Sequence, residues 1–520
     1  MHLVSELQSI ISGDVSADEK ILQTHSEDKS PFHITPSAVI FPKNSSDVQA
    51  IVKFVAKNKT EHSELSLTAR SAGTDVTGGP LNESIIIDFT KYCNHILKIG
   101  ALSASAVSEP GVFYRDFEIE TLKHDLLLPS FPASRSICAI GGMVANNSGG
   151  EQTLAYGKTE NFVTRLKVIL NDGSECTFEA LNPDQLAEKL LLETREGEIY
   201  RDIYKLISEN YDILAAAKPQ VSKNSAGYYL WNVWNIETQI FDLTKLFVGS
   251  QGTLGIITEM SFRLIHPKKE ARLLAIFAND LDQIPEIVHS TLEFKPEIFE
   301  IYDRSVLKII FRYFPAFIKM LGGNIFKIFR NFLPEISIIA TSFRLPSYVL
   351  TAEFTGDNQI EVDRRAHAAA QALAKYNIKT HVTRDSEEAQ KYKTIRRESF
   401  SLLQKHVRNR QTVTFIDDLI VPPEKLPEFI PRLRKMLDAY ENISYSIIGH
   451  IGDGNMHVIP LMDLSDARTK DTINTLTREV NKLVIEFKGS ITAEHNDGLT
   501  RSPFLREMYG DEIINLFEKA

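Results

Sequence analysis

The sequence predicts an α+β chain built from more than one domain, and three observations predict it. At 520 residues the chain has room for roughly two or three domains. From Pro36 onward short β-rich runs alternate with an amphipathic stretch and glycine-rich turns, a β-α-β-turn-β order. A Pro267-Lys268-Lys269 joint then divides a half rich in glycine loops from a half in which strands alternate with long helical patterns.

The elements follow in order. Residues 1–30 read as a polar, helical lead-in. Ala38-Val39-Ile40-Phe41 is a strand stopped by Pro42. Ser45-Ser46-Asp47 supplies a helix start, and Val48, Ile51, Val52 and Val55 recur behind it at helical spacing. Strands over 65–69 and 84–88 flank a glycine-rich turn. A hairpin is expected over 164–180 around Asn171-Asp172-Gly173. Residues 246–265 return to a glycine-rich, strand-like pattern. Beyond the 267–269 joint, strands at 272–277 and 349–354 alternate with helices to about 490. No internal repeat or low-complexity tract interrupts them.

Composition narrows the function classes. Hydrophobic residues at 43% and charged residues at 24% suit a soluble globular protein. A net charge of −10 argues against a general nucleic-acid binder. Cys93, Cys138 and Cys176 show no C-x-x-C spacing and are too few for a four-cysteine iron–sulfur cluster. A reducing, cytoplasmic compartment is the expectation. Met1-His2-Leu3-Val4-Ser5-Glu6 lacks a basic region leading into an apolar run, so no secretory signal is expected. No apolar run is long enough to cross a bilayer.

Residues 306–334 contain Lys308, Arg312, Lys319, Lys327 and Arg330, many Phe, Ile and Leu, and no acid. Gly322-Gly323 splits them into two amphipathic pieces. One reading is docking to a membrane surface, the inner face of the cell membrane, or to an acidic redox partner, with Phe311, Phe314, Phe326 and Phe329 exposed beside the charges. The other is a helix pair packed on its own domain with solvated lysines.

Chemistry concentrates in Gly449-His450-Ile451-Gly452-Asp453-Gly454-Asn455-Met456-His457 and in Glu494-His495. Asp-Gly between β-forming runs is a type I′ hairpin signal. With Asp453 and Gly454 as the loop, His450 pairs with His457, Cβ atoms roughly 4.5–5.5 Å apart on one face. Two imidazoles so placed share a divalent ion, and Glu494 supplies a third ligand, as in catalytic zinc sites. His495 is then a proton acceptor. The plainer alternative is a pair of structural histidines.

Three glycine-rich loops lie in the first half: Arg70-Ser71-Ala72-Gly73-Thr74-Asp75-Val76-Thr77-Gly78-Gly79, then Ile140-Gly141-Gly142 through Asn146, Ser148, Gly149 and Gly150 followed by Tyr156-Gly157, then Gly249-Ser250-Gln251-Gly252-Thr253-Leu254-Gly255-Ile256-Ile257-Thr258. None has the Rossmann or Walker spacing. Each alone is weak; together they suggest backbone wrapped around a large phosphate-bearing ligand.

These loops, with residues 36–55 and Pro110-Gly111-Val112, resemble the FAD-binding domain of the vanillyl-alcohol oxidase type. The second half, with the His450–His457 stretch and Glu494-His495, resembles the D-lactate and D-2-hydroxyglutarate dehydrogenase branch. The resemblance implies a two-lobed PCMH-type FAD-binding domain over 1–266 and an antiparallel-sheet cap over 267–488. A C-terminal segment over 489–520 carries Glu494-His495. It implies FAD held by the three loops, non-covalently because Thr74 stands where some relatives carry a flavin-linked histidine. The family's metal ligands fall on His450, His457 and Glu494, for zinc or else manganese or iron. Its base falls on His495, and its carboxylate-gripping arginine on Arg396 with Arg397 beside it. The plainer reading of Arg396-Arg397 is a solvated helix face.

Three departures qualify the match. Hydroxyglutarate enzymes carry a lysine near Ile416 and an asparagine at Ile459, so a second substrate carboxylate loses partners here. The usual glycine after Glu-His is Asn496. The chain stops at Ala520, before the family's closing Asn-Pro-Gly, and lacks the iron–sulfur domains of many relatives, as one piece of a split enzyme or a truncated product would. The expectation is an FAD-dependent dehydrogenase of a small D-2-hydroxy acid such as lactate, with an iron–sulfur protein or quinone as separate acceptor. The alternatives are a flavin-bearing electron-transfer subunit and an oxygen-using oxidase.

Overall fold

Ala38-Val39-Ile40 has no polar alternation, the pattern of a strand covered on both faces. In the computed structural model, which describes residues 3–312, 345–406, 411–463 and 465–520, it belongs to a four-stranded sheet. The strands are β1 (Asp14–Ser16), β2 (Ala38–Phe41), β3 (Leu67–Arg70) and β4 (Ile85–Asp88), in the order β1-β2-β4-β3. β2 and β3 run parallel to β4, and β1 runs antiparallel to β2. The helix Ser45–Asn58 makes the crossover and buries Val48, Ile51, Val52 and Val55. Its cap is Asn44 rather than a serine, with the Asn44 side chain accepting from Asp47 N.

The lead-in is helical at Leu3–Ile10 and Glu19–His25 but also carries β1. The cause is Asp47. Its buried carboxylate accepts from Ser12 N at 2.8 Å and Gly13 N at 2.9 Å and turns the chain into the sheet edge.

The second sheet holds β5 (Ile96–Gly100), β6 (Ser105–Ser108), β7 (Val163–Ile169), β8 (Glu175–Leu181), β9 (Trp234–Asn235), β10 (Ile240–Asp242) and β11 (Ile256–Arg263). Their order is β5-β6-β11-β7-β8-β10-β9, antiparallel throughout. β7 and β8 form the hairpin predicted around Asn171-Asp172-Gly173, with Gly173 at φ +79°.

The third sheet begins at the 267–269 joint. It contains β12 (Glu270–Ala278), β13 (Ile298–Asp303), β14 (Tyr348–Gly356), β15 (Lys379–Val382), β16 (Gln411–Thr412), β17 (Leu419–Ile420), β18 (Ser444–His450) and β19 (Asn455–Met462). The order is β15-β12-β14-β13-β18-β19-β16, with β17 also on β19. One face buries Phe299, Ile301, Met456 and Val458 against the helices Ile284–Leu292, Gln359–Ala372, Leu426–Asp438 and Thr469–Glu486. The opposite face carries Tyr302, Ile448 and Ile459, packed on Ala389, Tyr392 and Ile395 of the helix Ser386–His406. Since successive strand residues alternate faces, Glu300, His450 and His457 share this second face.

The basic stretch is described only at its start. In the helix Arg304–Arg312, Val306 and Leu307 are buried and Lys308 is exposed. Lys319, Lys327, Arg330, Phe314, Phe326 and Phe329, and the side chains of Phe311 and Arg312, lie outside the described residues.

The C-terminal segment joins both halves. Ser490 bridges to Ile420 of β17. The helix Leu505–Lys519 then returns to the core of the second sheet, where Phe517 meets Tyr228, Trp231 and Tyr509. Phe517→Ala should lower unfolding free energy by about 3–5 kcal/mol, the usual range for a buried phenylalanine. Denaturant titration followed by tryptophan fluorescence measures it. An unchanged midpoint would show that this helix does not hold the segment.

Candidate active site

The two histidines reach one face by a register different from the predicted one. His450 pairs with Asn455 and His457 with Ile448, so the imidazoles are diagonal neighbours and not directly opposite. The loop has four residues. Ile451–Asp453 form a 3₁₀ turn, closed by Gly454 at φ +77° with its N–H on the Ile451 carbonyl. Asp453 does not act as a solvent-facing turn residue. Its carboxylate takes a hydrogen bond from Ser222 Oγ at 2.7 Å and lies 3.1 Å from the Lys223 ammonium. That long-range contact sets the loop length. The register moves by two residues, so the side chains keep their face. The ring centroids stand 5.4 Å apart at 84°.

Each imidazole is fixed by a partner. His450 Nδ1 lies 2.6 Å from Glu300 Oε1, and its Nε2 lies 3.3 Å from Glu494 Oε2. His457 Nδ1 bonds to the Asp417 carbonyl at 2.7 Å, which places its proton on Nδ1 and a lone pair on Nε2. His495 stacks on His457 with centroids 5.1 Å apart at 14°, its Nδ1 3.2 Å from Asp417 Oδ2. Glu494 Oε1 accepts from Lys223 Nζ at 2.6 Å. Arg396 is buried, with Nε 2.8 Å from Glu300 Oε2, so it is not a solvated helix residue.

Asp418 holds the Glu494-His495 segment in place. Its Oδ2 accepts from Glu494 N, His495 N and Thr492 Oγ1, each at 2.8 Å. Its Oδ1 accepts from Asn455 Nδ2 at 3.1 Å, at the hairpin. Asn496 follows at φ +66°, a left-handed conformation that asparagine tolerates in place of glycine, and its side-chain amide donates to the Gly249 carbonyl at 2.7 Å.

The electrostatics follow from these pairs. Burial disfavours the imidazolium of His450, but Glu300 and Glu494 outweigh it and raise its pKa to about 9. His495 is likewise raised to about 9, with Asp418 and Asp417 outweighing burial. Burial and the neighbouring His495 lower His457 to about 4, so this ring is a neutral donor. Burial would lift Glu494, but His450 and Lys223 hold it well below the usual carboxylate range. Asp418, His457, Glu494 and His495 each present a ligating atom within 4.8 Å of the others. This group shares His457 and Glu494 with the expected triad and adds Asp418 and His495; His450 stands beside it on Glu494.

A cleft of about 590 Å³ opens onto this cluster. The first loop lines it from Arg70 through Asp75, and the second through Gly142, Asn146, Ser148 and Gly149. Arg396, His450, His457, Glu494 and His495 line it as well. The third loop contributes Gln251, whose side chain joins Asn146 to Gly498 N. Gly252, Thr253, Gly255, Ile256 and Ile257 are not among the lining residues, and β11 begins at Ile256. Thr77 is fully buried and donates to Asp75, supporting the first loop from below. Gly78, Gly141, Gly150 and Tyr156 also stand off the lining. At Gly141 the constraint is packing: a Cβ would lie 2.6 Å from Pro110 Cβ. Of the two apolar departures, Ile459 lines the cleft, whereas Ile416 is buried in the helix-covered cap core. Sequence reasoning missed Asp417, Asp418, Lys223, Glu300 and Cys138. The signal for the first two was two adjacent acids inside the apolar run Ile416–Val421.

A family model described as FAD binding domain matches residues 36–179, and one described as FAD linked oxidases, C-terminal domain, matches residues 267–520. The chain belongs to the FAD-linked oxidase family. It is 26% identical over 530 residues to D-2-hydroxyglutarate dehydrogenase of Escherichia coli (strain K12), covering 100% of this chain and 50% of that relative. The chain thus spans about half that relative's length. It is 24% identical to D-lactate dehydrogenase of Archaeoglobus fulgidus, covering 99% of this chain and 94% of that one. 4-Ethylphenol oxidase from Gulosibacter chungangensis shares the fold, with a TM-score of 0.66, 17% identity, and coverage of 99% and 92%. In this FAD-linked oxidase the first sheets are the FAD-binding domain and the third is the cap.

Asp418→Ala should strip the acceptor from two buried N–H groups and a hydroxyl. Hydrogen bonds to a charged group contribute about 1.5–3 kcal/mol each, so a loss of about 3 kcal/mol or more is expected by denaturant titration. A loss under about 1 kcal/mol would remove Asp418 from the anchoring role.

Proposed function

We propose that the chain, with FAD bound non-covalently, oxidises a D-2-hydroxy acid of small, apolar side chain such as D-lactate to the 2-oxo acid. The observation that carries this reading is the convergence of two glycine loops, Arg396 and the His450, His457, Glu494, His495 set on one cleft. FAD supplies the hydride acceptor. Non-covalent attachment is supported by Thr74 in the first loop and by Cys138, whose thiol burial pushes up to about 12.

Arg396 grips the substrate carboxylate; a planar guanidinium matches it in two parallel hydrogen bonds. Ile448 and Ile459 line the same cleft and give an aliphatic wall for the substrate side chain. His495 takes the hydroxyl proton. His457, Glu494 and His450 are the residues that would hold a divalent metal, with Asp418 close by, and such an ion supplies Lewis acidity to the substrate oxygens.

The clustered carboxylates favour a cation. Lys223, Arg396 and Arg501 are ion-paired with Glu300, Asp417, Asp453 and Glu494, and the buried Lys158 ammonium also acts on Glu494 and Asp418. The remaining negative charge is balanced by protonated His450 and His495 or by a divalent cation over neutral imidazoles. The second arrangement leaves His495 able to accept a proton, and metal binding is then coupled to proton release. Electrons leave to a separate acceptor, an iron–sulfur protein or a quinone.

Anaerobic mixing of the FAD-loaded protein with D- and L-lactate and with D-2-hydroxyglutarate should bleach the flavin with D-lactate first. No bleaching with any D-hydroxy acid would favour an electron-transfer subunit, and peroxide formation in air an oxidase. His495→Ala should keep FAD and lose roughly 10²- to 10⁴-fold in flavin reduction, the usual worth of a positioned base. Near-normal reduction would take His495 out of that role.

A further inference from the structure

We propose that Asp417 is the positioning residue for both stacked imidazoles. Its carboxylate orients His495 and its main chain orients His457. The inference rests on the reading of His495 as base. Asp417 lies two residues before β17 and is 4% exposed. Its Oδ2 stands 3.2 Å from His495 Nδ1, and its carbonyl takes the His457 Nδ1 proton at 2.7 Å. Its Oδ1 is paired with the guanidinium of Arg501, itself buried, in the short helix Gly498–Arg501. Arg501 also donates to the Asn496 carbonyl at 3.2 Å, one residue past His495.

The pairing with Arg501 restricts rotation of the carboxylate. One oxygen is held by a fork-shaped cation, the other faces the imidazole. His495 Nδ1 makes no aligned hydrogen bond, but its ion-pair partner at 3.2 Å is the Asp417 carboxylate; an Nδ1 proton drawn to that side leaves Nε2 to accept the substrate hydroxyl proton. The imidazolium so formed keeps its Nδ1–H against the carboxylate, which stabilises it. An acid behind a histidine base acts in this way in hydrolytic triads, by tautomer and orientation and not by taking the proton. The competing role for Asp417 is a structural counter-ion to Arg501. The two roles differ in one respect: a counter-ion matters whether or not His495 is present, and a positioning residue does not.

The test is a double-mutant cycle on the FAD-loaded chain. Wild type, Asp417→Asn, His495→Ala and the double variant are mixed anaerobically with D-lactate, and limiting flavin reduction rate and half-saturating concentration are read. Asp417→Asn should lower the limiting rate by about 10²-fold or more with half-saturation held within about threefold, and should add nothing in the His495→Ala background. A near-normal rate, or an equal further loss in that background, overturns the proposal. If Asp417→Asn does not retain FAD, Arg501→Lys carries the same cycle, with a smaller loss that must also vanish without His495. Nitrogen-15 histidine spectra give a substrate-independent readout. His495 should be an Nδ1–H tautomer or doubly protonated in wild type, with Nδ1–H lost or exchanging in Asp417→Asn. Should D-lactate fail to reduce the wild type, the functional reading falls, and the spectra still decide Asp417: unchanged His495 signals overturn its role.

Discussion

The Asp418 carboxylate, fully buried between hairpin and C-terminal segment, is the constraint on which the site depends. It accepts from two consecutive main-chain N–H groups, Glu494 and His495, and from Thr492 and Asn455. A buried carboxylate with four donors is far less costly than a bare one, and its removal leaves the donors unpaired. The hairpin β18–β19, with His450 and His457, and the segment with Glu494 and His495 are therefore held to a common point. Glu494 and His450 come within 3.3 Å, the first tied to Asp418 by its own N–H and the second only through its strand partner Asn455.

Around that point the charges form a chain rather than isolated pairs. Arg396, Glu300, His450, Glu494, Lys223 and Asp453 follow one another at 2.6–3.3 Å. Buried pairs of this kind add little net stability, because desolvation offsets attraction, but breaking one leaves an uncompensated charge. What the chain secures is placement. Glu300 ties Arg396 to His450, and Lys223 ties the FAD-binding half to the cap hairpin. Lys158 adds a second tie across the same seam, with Nζ on the carbonyls of Asn224 at 2.6 Å and Ala493 at 2.8 Å. Burial pulls that ammonium down to about 8, so this tie relies on its acceptors more than on charge pairing.

What the sequence revealed and what it hid follow from range. The Val48–Val55 periodicity and the apolar runs at 38–41 and over the cap strands set those elements locally, and they are where expected. His450, His457, Glu494 and His495 were singled out because their residue types carry chemistry, and Arg396 through the family resemblance; all five line one cleft. The hairpin register was misread because Asp453 looked like a turn residue, whereas its partner Lys223 is over 200 positions away. The third loop was read as cofactor lining through Gly252, Thr253, Gly255, Ile256 and Ile257; Gln251 reaches the cleft, and those residues do not. Asp417 and Asp418 had no helical or strand periodicity to announce them. Two acids inside an apolar run are costly to bury without partners, and that cost was the available clue.

The position of the C-terminal segment joins these points. Ser490 is bridged to the cap, Asn146 Nδ2 donates to the Glu494 carbonyl at 3.2 Å, Gln251 holds Gly498 N, and Phe517 is seated in the FAD-binding core. The residues that carry His495 are thus fastened at one end to the sheet presenting His450 and His457, and along the other to the loops lining the cleft. A shift of either half against the other would be felt at Glu494 and His495. The cluster of His450, His457, Glu494 and His495 is assembled only when cap and FAD-binding domain are in register, so on the proposed reading the domain seam is a determinant of the chemistry and not merely its boundary.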